Sequence, residues 1–172
     1  MSANPLWDLF VDQLNDVYDA ELRLTDALPK MAKAANSDEL RAAFEDHLAQ
    51  TDEHVRRVER ILDSIEGTPK RTTCKAIEGL IEESDDLIKK ESEQVRDAAL
   101  IAAAQKVEHY EMATYGCLRT WAELLGESEA SRLLQTTLNE EGATDHKLSQ
   151  IAESLNTEAM EGTSRHRRAA SE

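Results

Sequence analysis

The stretch LNDVYDAELRLTDAL, residues 14–28, spaces its apolar residues by three or four positions. This spacing predicts an α-helix with one apolar face, made of Leu14, Val17, Leu24 and Leu28. Glu21 falls in the middle of that face, where the pattern calls for a buried apolar side chain. A buried carboxylate must find a partner, bind a cation or take up a proton. Glu21 is therefore a candidate functional residue.

Two later segments carry a glutamate in the same kind of position. Glu111 and Glu141 each interrupt a helical apolar stripe. The stripe residues are Ala104, Val107, Thr114 and Leu118 around Glu111, and Leu134, Leu138, Leu148 and Ile151 around Glu141. Several carboxylates converging inside one helical bundle predict a metal site. The alternative is that tyrosines such as Tyr18, Tyr110 or Tyr115 satisfy the buried acids without metal.

Composition predicts a single all-α domain. The chain has 172 residues, of which 40% are hydrophobic and 32% charged, with only 6 glycines and 3 prolines. This length is sufficient for a buried core, and the scarcity of helix-breaking residues favours helices over a sheet.

The net charge of −15 argues against binding to nucleic acid or to anionic membrane surfaces, since both need a basic protein surface. The sequence shows no apolar run long enough to span a bilayer and no signal-peptide pattern. Two cysteines, Cys74 and Cys117, are too few for a disulfide framework. We therefore expect a cytoplasmic protein.

The apolar periodicity predicts five helices and a tail. The predicted bounds are about residues 5–35, 38–66, 73–90, 92–125 and 128–155. Stop and cap signals at 36–38, 67–69 and Gly126 separate these helices. The polar remainder predicts a disordered C-terminal tail over 157–172, which leaves 1–156 as the folded domain.

The two long hairpins look like copies of each other at an offset of 90 positions. The offset places Phe10 on Leu100, Val17 on Val107, Leu28 on Leu118, Leu48 on Leu138 and Ile61 on Ile151. One constant offset across two helices and their connection predicts an internal duplication. The extra helix near 73–90 then belongs to the connection that crosses the end of the bundle.

The duplication also aligns the polar residues. Glu21 falls on Glu111, and the segment 51–54 falls on 141–144. Di-metal bundles take one Glu from each of two helices and a Glu-x-x-His from each of the others. Here each copy of that motif keeps one half, His54 in the first and Glu141 in the second. We therefore predict a site for one or two iron or manganese ions, with Glu21, His54, Glu111 and Glu141 as ligands.

Four further residues lie near enough in the pattern to complete or replace these ligands. His47 lies two turns before His54, and Glu108 lies one turn before Glu111. Glu140 and Asp145 flank the Glu141 position. The sequence leaves open which of the four take part. His109 is predicted to be exposed or at an interface.

Several stretches resemble the YciE/YciF family of ferritin-like stress proteins. They are LNDVYDAE (14–21), ALPKMAKAA (27–35), EGLIEE (78–83), DAALIAAAQKVEHYE (97–111) and WAELLG (121–126). The resemblance implies a four-helix ferritin-like core with an added helix, commonly found as a homodimer, and a metal site. Members of the family usually carry Glu where this chain has Gln50, so the resemblance gives no ligand at position 50.

Two functional hypotheses follow. The first is a ferritin-like metal-binding protein of a bacterial-type stress response, with redox activity linked to peroxide or O₂. The second is a non-catalytic helical homodimer that acts as a structural or interaction protein under stress, with a vestigial metal site. Trp7, Trp121 and the apolar face of the 73–90 helix would supply the dimer surface.

Overall fold

The computed structural model describes residues 4–65 and 69–169, and the side chains of this part except those of 158 and 161–169. Within these residues the chain forms helices and no strands. The helices are α1 (Pro5–Ala34), α2 (Asp38–Ile65), α3 (Lys75–Lys90), α4 (Glu93–Leu125) and α5 (Ser128–Ala169). None of the described helices is both long and apolar enough to cross a membrane. The predicted all-α class is confirmed.

Cap residues set the helix ends close to the predicted bounds. Asn4 caps α1, because its side-chain oxygen accepts a hydrogen bond from the Leu6 amide at 3.1 Å, and Pro5 occupies the first turn. Gly126 ends α4 in the left-handed conformation at φ 85°, which glycine adopts without steric cost. The bounds of α1 to α4 agree with the predictions to within two residues.

The predicted end of the fifth helix near Leu155 was wrong. The backbone of α5 continues as helix to Ala169. The apolar stripe stops at Leu155, but helical hydrogen bonds do not need an apolar face, and the following residues include Glu, Ala and Met, which favour helix. The separate assignment of 1–156 to the domain and 157–172 to a disordered tail stays a prediction, and residues 170–172 lie outside the described part.

Two antiparallel hairpins, α1–α2 and α4–α5, pack into a four-helix bundle. Helix α1 contacts α4, helix α2 contacts α5, and α3 packs on α1 and α4 as part of the connection. Several apolar pairs at the offset of 90 share the same burial: Phe10 with Leu100 and Ala32 with Ala122 are buried, while Leu48 and Leu138 are both half-buried. The ferritin-like bundle built from two similar hairpins agrees with the prediction.

The core consists of two apolar clusters separated by a polar layer. One cluster contains Leu24, Leu28, Phe44, Leu100 and Leu148, and the other contains Phe10, Leu14, Val58, Leu118 and Leu134. Each of the four long helices contributes to both clusters and passes between them through buried polar residues. The apolar clusters therefore place those polar residues in the middle of the bundle.

Asp19 anchors the connection between the hairpins. Its carboxylate is 1% exposed and accepts hydrogen bonds from Arg23 Nε at 2.6 Å, Arg71 Nε at 2.5 Å and the Cys74 amide at 2.9 Å. Burial alone would raise the pKa of this carboxyl, but the hydrogen bonds from Arg71 and Arg23 outweigh it and lower the pKa. The charged group thus ties segment 71–74 to α1.

The predicted homodimer stays a prediction. Trp7 and Trp121 are half-buried within the chain, where Trp7 contacts the ring of Phe10 and Trp121 packs on the cluster around Leu118. Both rings are therefore already used in part by the intramolecular core.

Replacing Asp19 with Asn should destabilise the fold by about 2 to 3 kcal/mol, because two arginines lose a buried charged partner. The measurement is urea unfolding of the metal-free protein, followed by circular dichroism. Asp12→Asn, at an exposed position of the same helix, is the matched control and should change stability by less than about 0.5 kcal/mol. Equal effects of the two substitutions would contradict the anchoring role of Asp19.

Candidate metal centre

The four predicted ligands lie together in the polar layer. Glu21, His54, Glu111 and Glu141 come from α1, α2, α4 and α5 in turn, and each is fully buried. Each occupies the apolar stripe of its helix, so folding of the apolar face carries it into the bundle interior. The bundle therefore brings all four residues into one layer.

His47 and Glu108 also point into this layer. They are 3% and 2% exposed, and His47 Nε2 lies 3.3 Å from Glu108 Oε1. Two groups of ligand atoms lie within 4.8 Å of one another: His47, Glu108, Glu111 and Glu141 form one, and Glu21, His54 and Glu141 form the other. Glu141 belongs to both. The combined cluster, called the acidic cluster below, contains four carboxylates and two imidazoles.

The sequence did not decide whether His47 and Glu108 belong to the site, although their spacing from His54 and Glu111 indicated that they could. His47 lies seven residues before His54 and Glu108 lies three before Glu111, so each pair shares one helix face. The Glu-x-x-His motif contains a single histidine, so it did not distinguish His47 from the other three candidates.

Glu140 lies outside the acidic cluster and positions His54. Its Oε2 is 2.9 Å from His54 Nε2, and its Oε1 accepts a hydrogen bond from Arg57 Nη2 at 3.0 Å. Metal-binding histidines commonly donate the N–H of one ring nitrogen to a carboxylate in this way, which leaves the other nitrogen for the metal. The other nitrogen, Nδ1, faces Glu141 Oε1 at 2.9 Å and Glu21 Oε1 at 3.7 Å.

Asp145 does not reach the acidic cluster. Its carboxylate contacts Gln105 Nε2 at 3.2 Å and His109 Nε2 at 3.5 Å. The His109 side chain is 69% exposed, as the sequence analysis allowed. Gln50 is exposed and lies beside His47.

Several buried polar atoms of the acidic cluster have no hydrogen-bond partner among the described residues. These atoms are Glu21 Oε2, His54 Nδ1, Glu108 Oε2, and both carboxylate oxygens of Glu111 and Glu141. The 2.9 Å between His54 Nδ1 and Glu141 Oε1 suits a hydrogen bond, but the two groups are not aligned as one. Buried atoms that converge without pairing are costly unless something else binds them. Oxygen and imidazole donors in this number fit iron or manganese.

The pKa values indicate how protons compensate the charge of the acidic cluster when no cation is bound. Burial, reinforced by the neighbouring carboxylates, raises the pKa of Glu111 and Glu108 well above the usual range. Burial also raises the pKa of Glu21, to about 8. For His54, burial opposes the charged form, but Glu141, Glu21 and Glu140 outweigh it and raise the pKa to about 9. A cation would supply the positive charge that protons supply otherwise.

Tyrosine satisfies only one of the buried acids. The Tyr115 hydroxyl donates a hydrogen bond to Glu21 Oε1. Tyr18 instead donates to Glu59 at 2.8 Å, and Tyr110 donates to Asp16 at 3.1 Å. The alternative of tyrosine-satisfied acids therefore applies to one oxygen of Glu21 and leaves Glu111 and Glu141 without a partner of this kind among the described residues.

The chain is similar in sequence and in structure to known proteins. It is 48% identical over 154 residues to the protein YciF of Escherichia coli K12, covering 88% of this chain and 93% of YciF. The crystal structure of the E. coli stress protein YciF superposes with a TM-score of 0.86 at 47% identity, covering 90% of this chain and 98% of YciF.

Two further solved structures resemble it. YcfI of Rhodopseudomonas palustris has a TM-score of 0.82 at 40% identity, covering 85% of this chain and 94% of YcfI. A ferritin-like diiron-carboxylate protein of Bacillus anthracis has a TM-score of 0.69 at 17% identity, covering 88% and 99%, and shares the fold. The predicted resemblance to YciF-type proteins is confirmed. Residues 6–161 match the model of a domain of unknown function, DUF892, and the chain therefore belongs to that family.

Proposed function

We propose that this protein binds two iron or manganese ions in the acidic cluster and reacts with peroxide as part of a stress response. The observation that carries the proposal is the set of buried, unpaired ligand atoms on four helices. Di-metal carboxylate bundles use about four carboxylates and two imidazoles, and the cluster contains that number. The relative YciF is described as a stress protein, which suggests the setting.

The residues divide into two groups that share Glu141. Glu21 and His54 serve one ion, while His47, Glu108 and Glu111 serve the other. Glu141 belongs to both groups and would help to hold both ions, whereas each neutral imidazole would bind one cation. Glu140 keeps the proton of His54 on Nε2 and so leaves Nδ1 for the metal.

The residues around the acidic cluster suit a redox reaction at bound metal ions. Two bound Fe(II) ions would supply the two electrons that, with two protons, reduce hydrogen peroxide to two molecules of water. The apolar clusters on both sides exclude bulk water from the layer. The Tyr115 hydroxyl donates a hydrogen bond to one oxygen of Glu21 and so holds it in place.

Metal content tests the proposal directly. Protein purified without a His tag and loaded with Fe(II) under anaerobic conditions should hold about two ions per chain by mass spectrometry. The Glu21→Ala/Glu111→Ala variant should lose them, because each group of ligands loses a carboxylate. Glu45→Ala/Glu153→Ala, at exposed positions, should retain them. About one ion would indicate a mononuclear site. No metal in any of the proteins would favour the structural homodimer.

Glu108 and Asp145 can be distinguished by stoichiometry. Glu108→Gln should reduce binding from about two ions to about one, since Glu108 belongs to only one ligand group. Asp145→Asn is the matched control and should leave the stoichiometry unchanged, because Asp145 faces Gln105 and His109. A loss of metal in Asp145→Asn with full binding in Glu108→Gln would refute this assignment.

Glu140 should affect the metal affinity of the site and not the number of ions that it binds. Glu140→Gln weakens the hold on His54 and should lower metal affinity by about 10- to 100-fold in competition with a chelator. Full loading should return at high metal concentration. Unchanged affinity would show that Glu140 does not orient His54. Glu53→Gln, an exposed glutamate of α2, is the control.

A further inference from the structure

A pocket between α2 and α5 leads from the surface to His47. Its volume is about 370 Å³, and its lining includes the buried His47 together with the exposed Gln50 and Lys147. The pocket therefore ends on the one residue of the acidic cluster that also faces outward. We call it the access pocket.

The internal duplication explains why the pocket is open on this side. The offset of 90 pairs Gln50 with Glu140 and Lys147 with Arg57. On the His54 side, Arg57 donates hydrogen bonds to Glu140 and, at 3.2 Å, to the Thr137 hydroxyl, so that an ion pair bridges α2 and α5. On the His47 side the uncharged Gln50 stands at the position of the carboxylate.

Lys147 also turns away from the inner end of the pocket. Its Nζ donates a hydrogen bond to Asp46 at 3.0 Å, at the exposed rim. The equivalent of the Arg57–Glu140 pair is therefore not formed across this pocket, and the space in front of His47 stays open.

The two histidines of the acidic cluster are held differently. His54 is held through Nε2, which lies 2.9 Å from Glu140 Oε2. His47 has only long contacts: 3.3 and 4.0 Å to Glu108 and Glu141 on the inner side, and 3.4 and 3.5 Å to Thr144 and Gln50 on the outer side. Contacts of these lengths restrain a ring weakly. The protein therefore holds the His47 ring less firmly than the His54 ring.

The chemistry of the access pocket favours a small neutral molecule with hydrogen-bonding groups. The walls include Ala49 and Ala143, and the Gln50 amide and Thr144 hydroxyl offer donors and an acceptor near the His47 ring. The charges at the rim, Asp46 and Lys147, neutralise each other. A hydrated cation would gain little from such a lining.

We propose that the access pocket binds hydrogen peroxide beside His47, the residue that separates the pocket from the rest of the acidic cluster. The inference rests on the proposed function and adds the route of the peroxide and the residue that separates this route from the cluster. Gln50 and Thr144 are specificity residues in this scheme, since they hydrogen-bond the peroxide beside His47.

The test uses a substitution that narrows the access pocket and leaves every candidate metal ligand unchanged. Ala143→Phe places a bulky ring on the pocket wall at an exposed helix position, and Ala42→Phe adds the same ring at an exposed position of α2 that does not line the pocket. Both variants should load the same amount of Fe(II). Oxidation of the loaded protein by hydrogen peroxide in stopped flow should be at least about tenfold slower in Ala143→Phe and within about twofold of the parent in Ala42→Phe.

Two comparisons test the identity of the occupant. Gln50→Leu should slow oxidation by hydrogen peroxide more than oxidation by dioxygen, because it removes a hydrogen-bonding group and keeps the pocket's size. If Ala143→Phe slows uptake of Fe(II) and leaves the peroxide reaction unchanged, the pocket is a cation route and the proposal is overturned. Equal peroxide rates in Ala143→Phe and Ala42→Phe would also overturn it.

A metal-free measurement separates this inference from the proposed function. Diethyl pyrocarbonate, a small neutral reagent, acylates accessible imidazoles, and mass spectrometry of the peptides reports His47 alone. Acylation of His47 in the metal-free protein should be several-fold slower in Ala143→Phe than in Ala42→Phe. Equal rates would refute the access route even if metal binds. Slower acylation in a protein that binds no metal would retain the route and refute both the proposed function and the peroxide assignment.

Discussion

The burial of four carboxylates in one layer of an otherwise apolar bundle is the constraint on which the structure depends. Glu21, Glu108, Glu111 and Glu141 are each 2% exposed or less, and most of their oxygens lack hydrogen-bond partners among the described residues. Four such charges cannot all remain ionised without compensation. Protons, the two histidines or cations must balance them.

The apolar clusters on either side stabilise the fold and so offset the free-energy cost of burying this polar layer. Each long helix is anchored above and below the layer by fully buried side chains such as Phe10 and Leu100. The connection between hairpins is fixed separately, through the ion pairs of Asp19 on the outer side of α1. The layer can therefore be tuned for binding while the rest of the molecule supplies stability.

The duplicated hairpins carry an asymmetric site. Glu21 and Glu111 are equivalent, but elsewhere only one copy keeps a residue of the acidic cluster: His54 falls opposite Thr144, and Glu141 falls opposite Thr51. Glu108 falls opposite Tyr18, and His47 falls opposite Thr137. The same divergence closes the His54 side with the Arg57–Glu140 pair and leaves the His47 side open. The asymmetry thus distinguishes the two halves: Glu140 holds His54 in one, and the other is the half in which we propose an access route.

The sequence by itself determined the helices, the duplication and the burial of Glu21, His54, Glu111 and Glu141, because apolar periodicity and a constant offset are local patterns along the chain. It did not determine the end of α5, since helical backbone bonds continue after the apolar stripe stops. Nor did it select His47 and Glu108 over Glu140 and Asp145. That selection depends on how side chains from α2, α4 and α5 pack across the bundle. Adjacent residues such as Glu140 and Glu141 point to different sides of a helix, so only one of them belongs to the cluster. Only the tertiary structure decided it.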